Sequence, residues 1–60
     1  MPHPKPKRIY RLYIWFGNQR GRCVFETHRW AVLKSEAERR AESIGYPKSR
    51  WLELFDWNLT

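Results

Sequence analysis

Sixty residues allow one domain, near the lower end of what folds unaided. A single cysteine, Cys23, excludes an intramolecular disulfide, and no Cys/His cluster suggests a structural metal. The core must therefore come from four Trp, three Tyr and three Phe, each able to bury ~150–250 Å². No apolar run approaches the ~20 residues that span a bilayer, and no signal-peptide segment follows the basic N-terminus. A soluble protein of the cytoplasm is expected, the host cytoplasm if the chain is phage-encoded.

Residues 1–7, MPHPKPK, alternate proline with other residues. Proline fixes φ and removes amide donors, so an extended, flexible basic arm is expected ahead of a domain over residues 8–60. Residues 8–16 are rich in β-formers and alternate two faces, Tyr10, Leu12, Ile14 and Phe16 against Ile9, Arg11, Tyr13 and Trp15. Gly17-Asn18-Gln19-Arg20 is turn chemistry, and residues 22–30 read as a second strand. Pairing Phe16 with Gly21 sets Ile14 opposite Cys23, Leu12 opposite Phe25 and Arg11 opposite Glu26. That register joins apolar to apolar and opposite charges to each other.

Ser35 followed by Glu38 has the spacing of a capping box and predicts a helix opening there. Ala37, Ala41 and Ile44 form its apolar stripe, Gly45 supplies a left-handed cap, and Pro47 prevents resumption. Residues 50–57, RWLELFDW, read as a last strand. The order β-β-α-β with a right-handed crossover gives an α+β domain. It has a three-stranded antiparallel sheet, order 2-1-3, with one helix packed on one face.

Charge is uneven along the chain. Residues 1–29 hold seven basic side chains (Lys5, Lys7, Arg8, Arg11, Arg20, Arg22 and Arg29) against Glu26 alone, the whole net charge of +6. Residues 30–60 hold five of each sign. Such asymmetry points to nucleic acid or an acidic protein surface as partner.

One short helix covers one side of a sheet, so the core is expected from Leu12, Ile14, Phe16, Cys23 and Phe25 with one side of the last strand. The other side would show Tyr13, Trp15 and Val24, framed by Arg11, Arg22 and His28. Either choice for the last strand adds apolar groups to that open side. An apolar patch rimmed by polar groups marks an interaction site. Aromatics among arginines suit single-stranded nucleic acid, where rings stack bases and cations follow phosphates. Arg20 and Arg22 at a hairpin tip also suit a major groove, where arginine reads guanine. The expected contact residues are Arg11, Tyr13, Trp15, Arg20 and Arg22, with Lys5, Lys7 and Arg8 adding attraction that ignores base sequence.

The rival expectation is a protein-binding inhibitor or adaptor, for example a phage-encoded inhibitor of a host system such as an anti-CRISPR. It could be a homodimer through the aromatic face. Trp, Tyr and Arg dominate interface hot spots. Catalysis is not expected: Cys23 falls on the predicted core side, His28 and Glu26 share a solvated side, and Glu53 and Asp56 alternate apart. No cofactor is expected either.

Overall fold

A computed structural model describes residues 8–60; the arm over residues 1–7, with Lys5 and Lys7, lies outside them. The elements are β1 (Tyr10–Phe16), β2 (Gln19–Thr27), α1 (Trp30–Ser43), a 3₁₀ segment (Lys48–Glu53) and β3 (Phe55–Leu59). The sheet is antiparallel in the order β2-β1-β3, with α1 across one face. This is the expected α+β architecture.

The hairpin departs from its expected register halfway along. Arg11 faces Glu26 and Leu12 faces Phe25 as expected, but Tyr13 then faces Cys23, Trp15 faces Arg20 and Phe16 faces Gln19. The turn holds two residues instead of four. Gly17 sits at φ 64, and among the described residues none other than glycine has positive φ. That combination fits the two-residue turn with glycine at its first central position, whose twist suits a hairpin. The two residues gained by β2 are absorbed as irregularities on either side of Tyr13. Gly21 permits one of them, since a Cβ there would lie 2.7 Å from the Ile14 carbonyl oxygen. A bulge changes which side a residue faces. Cys23 accordingly pairs with Tyr13 and is exposed, correcting its assignment to the core. Val24 packs on the core, not on the open side.

Helix α1 begins five residues before Ser35. Arg29 is its N-cap without a side-chain bond, and Leu33 donates the first helical hydrogen bond to the Arg29 carbonyl at 3.1 Å. Ser35 and Glu38 therefore lie inside the helix, and the capping box is not used. Packing overrides the local cap signal. Leu33 extends the stripe of Ala37 and Ala41 at spacings of four, and all three are fully buried. Trp30 adds aromatic contacts, its ring centroid 4.6 Å from Trp57, 5.9 Å from Tyr10 and 6.1 Å from Trp51. Ile44 is exposed and caps the C-terminus instead of joining the stripe. Gly45 takes φ 85 as expected. Tyr46 N–H bonds the Ala41 carbonyl and Gly45 N–H the Glu42 carbonyl, both at 3.0 Å, the paired closure of a Schellman motif.

The last strand starts later than expected. Pro47 opens the 3₁₀ segment, where Arg50 grips Glu53 through two hydrogen bonds of 2.6 and 2.9 Å. The Tyr46 hydroxyl donates to the same carboxylate at 2.6 Å. This turn rolls Trp51 into the core and leaves Leu52 outside. β3 then places Phe55 and Trp57 opposite Ile14 and Leu12, and Asp56 and Asn58 opposite Tyr13 and Arg11. Apolar residues thus go to the helix side and polar ones to the open side.

The core is Leu12, Leu33, Ala37, Ala41, Trp51 and Phe55, flanked by Tyr10, Val24, Phe25, Tyr46, Leu54 and Trp57. Three of the four indoles, Trp30, Trp51 and Trp57, belong to this side. Ile14 and Phe16, expected in the core, are 41% and 80% exposed. Leu33→Ala should cost ~2–5 kcal/mol by opening a cavity against Leu12. Ser35→Ala should leave the thermal melt unchanged or raise it slightly, because alanine has the better helix propensity. A loss of ~1 kcal/mol or more in circular-dichroism melts of Ser35→Ala would return the helix start to Ser35.

Candidate nucleic-acid interface

The open side of the sheet brings Arg11, Tyr13 and Trp15 together, as their alternation predicts, and adds Arg20, which lies on β2 opposite Trp15 and not in the turn. Their neighbours differ from those expected. Arg11 donates to the Glu26 carboxylate at 3.1 Å and to the Thr60 hydroxyl at 3.4 Å. Arg20 reaches Asp56 at 2.7–2.8 Å, and its guanidinium carbon lies 4.4 Å from the Tyr13 ring centroid. The Tyr13 hydroxyl donates to Asn58 at 3.3 Å, and the Trp15 indole N–H donates to the Leu52 carbonyl at 3.3 Å. This is a cross-strand polar lattice over two half-buried rings, not an apolar platform. Each exposed ion pair is worth ~0–1 kcal/mol, and the cation–π contact ~0.5–1 kcal/mol. Their larger consequence is electrostatic: both guanidiniums on this side already face a carboxylate.

Asp56 and Asn58 were not legible as members of this side. Their alternation appears only once the strand begins at Phe55. The i,i+3 pair Arg50/Glu53 after Pro47 was the available sign that residues 48–53 coil instead of extending.

Pairing leaves other cations over. Among the described residues, ion pairs occupy Arg11, Arg20, Arg39, Arg40 and Arg50. Arg8, Arg22, Arg29, Lys34 and Lys48 are exposed and join none of these pairs. Lys48 borders a polar hollow with Glu38 and Glu42, so its charge is opposed nearby. Arg22 lies on β2, an outer strand of the sheet. Arg8 and Arg29 flank the base of the hairpin, where His28 Nδ1 donates to the Arg8 carbonyl at 3.0 Å. Arg40, half-buried and paired with Glu36, also donates to the Val24 carbonyl at 3.3 Å and so braces β2 against α1. Of the expected contact residues, Arg22 and Arg8 thus keep unopposed charge, and Arg29 joins them.

The hairpin tip is the second feature. It projects past the residues that α1 covers, and Phe16 is its most exposed apolar residue. Trp15, Gly17, Asn18, Leu52 and Glu53 line a shallow hollow of about 370 Å³ beside it. Among the described residues no group of three His, Cys, Asp or Glu could hold a metal ion, and no helix is long and apolar enough to cross a membrane.

Compared with known proteins, the chain matches no family, no curated protein and no solved structure.

Acid should loosen the helix surface. Hydrogen bonds from Arg39 and then Arg40 hold the Glu36 carboxyl below its ordinary value of 4.5. Arg50 and then Tyr46 do the same for Glu53. A carboxyl whose folded value is depressed contributes stability above its unfolded value and loses it as pH falls through the folded one. Melting temperature should therefore drop as pH falls below about 4.5, and Glu36→Gln/Glu53→Gln should flatten that drop. An equally steep acid loss in the double variant would place the sensitivity elsewhere.

Proposed function

We propose that the chain is a non-enzymatic nucleic-acid-binding module whose contacts run along the outer flank of the hairpin. Arg22 on β2 and Arg8 with Arg29 at the hairpin base would hold phosphates, and Lys5 and Lys7 of the arm would add to that attraction. Arg11 and Arg20 would contribute less, because a phosphate must compete with Glu26 and Asp56 for them. Tyr13 and Trp15 would support the face without leaving their present contacts. The observation that carries this reading is the segregation of charge: after ion pairing, the unopposed cations cluster on the hairpin and the start of α1. β2 is nine residues long, about 30 Å at ~3.3 Å per residue, a length that several phosphates would span.

A second reading is favoured by one observation. Phe16 and Leu52 are 80% and 56% exposed, and large apolar side chains left bare suit a protein partner. In that case the chain would be an inhibitor or adaptor that meets an acidic protein surface, as a phage-encoded anti-CRISPR would.

Titration of fluorescent oligonucleotides at several salt concentrations separates the two. Phosphate contacts should give a linear fall of log K with log salt, and Arg22→Ala should reduce the slope by roughly 0.7–0.9, one contact's worth. Asp56→Asn should strengthen binding by freeing Arg20. No binding at ~50 mM salt would overturn the nucleic-acid reading in favour of a protein partner.

A further inference from the structure

Resting on the nucleic-acid reading, we infer that Phe16 is a base-stacking ring and that the partner is single-stranded. The rings available for stacking are few. Trp30, Trp51 and Trp57 are engaged with one another and with Tyr10 on the helix side. Tyr13 lies under the Arg20 guanidinium and Trp15 is tied to the Leu52 carbonyl. Phe16 alone is 80% exposed. Its backbone is held by pairing with Gln19 and by the tight turn at Gly17, so a bound base would not have to order the chain first. Gln19 pairs with it, and Arg22, which joins no ion pair among the described residues, follows on the opposing strand; Arg20 between them is held by Asp56, and Glu26, the one acidic residue of the hairpin, by Arg11. An apolar ring on the hairpin that carries the unpaired Arg22 suits an unpaired base on a polyanion better than the apolar patch of a protein.

Magnitude decides between single strand and duplex. Stacking one base on one ring multiplies affinity by roughly 5- to 150-fold. Opening a duplex step to admit a wedge costs a comparable factor, so a solitary ring gains little from paired bases. An unpaired base presents its face without that cost. The tip should therefore prefer single strands, and the preference should belong to Phe16.

The test uses the full chain with a 2-aminopurine-labelled oligonucleotide, single-stranded and annealed to its complement, at low salt. The single strand should bind tighter with a change in 2-aminopurine emission. Phe16→Ala should weaken it roughly 5- to 150-fold while leaving duplex affinity and the salt slope unchanged. Phe16→Trp should keep the preference, and an unaltered melting curve should show both variants folded. Equal binding of single strand and duplex, indifferent to Phe16→Ala but still salt-dependent, would overturn the stacking role and leave phosphate binding standing. Absence of binding to either oligonucleotide would overturn both.

Discussion

The docking of α1 on β1 at Leu12 is the contact on which everything else rests. Leu12 is sealed beneath Leu33, Ala37 and Ala41, all without exposed surface. Two of those three helix residues are alanines, so the helix can lie close to the sheet and a short stripe can close the core. Trp51 and Phe55 seal it from the β3 side. The cost of so small a contact is reach: the hairpin continues beyond it, and Ile14 and Phe16 pass out of cover. An exposed tip is thus a consequence of how little surface the helix has to offer.

The same economy governs the other side of the sheet. Among the described residues no second layer covers the open side, which must be stable in water. β3 contributes Asp56 and Asn58 there, β2 contributes Glu26, and arginines stack over or beside the rings. The lattice keeps Tyr13 and Trp15 half-buried with no covering element among the described residues. It also neutralises Arg11 and Arg20, which shifts the chain's excess charge to the flank formed by β2 and the hairpin base. Among the described residues, the stability of the open side and the charge left unpaired on the flank are therefore set together by the pairing of four carboxylates with five arginines.

Element type and order were readable because alternation and glycine are strong local signals. The antiparallel order 2-1-3, the Arg11–Glu26 and Leu12–Phe25 pairs and the Gly45 cap all follow from them. What was not readable depends on longer-range packing. Ser35 and Glu38 carry a cap pattern, yet burial of Leu33 and Trp30 draws the helix back to residue 30. Alternation along 50–57 suggests a strand, yet the Arg50–Glu53 grip after Pro47 coils it and turns Trp51 inward. The bulges that expose Cys23 follow from a two-residue turn at Gly17-Asn18 that a four-residue reading of the loop hides. For the candidate site, Arg11, Tyr13, Trp15 and Arg20 do share a side, but their carboxylate partner Asp56 is invisible until β3 is correctly placed.

The proposed nucleic-acid contact is open to direct mapping. Amide chemical shifts of the isotope-labelled chain, recorded while a single-stranded oligonucleotide is added, report contact residue by residue. Changes are expected at Phe16, Arg22, Arg29 and Arg8, the tip and flank where cations are unopposed. Changes centred on Tyr13, Asp56 and Asn58, with the flank silent, would mean that the polar lattice is the binding surface and that its ion pairs do not withdraw Arg11 and Arg20 from a partner.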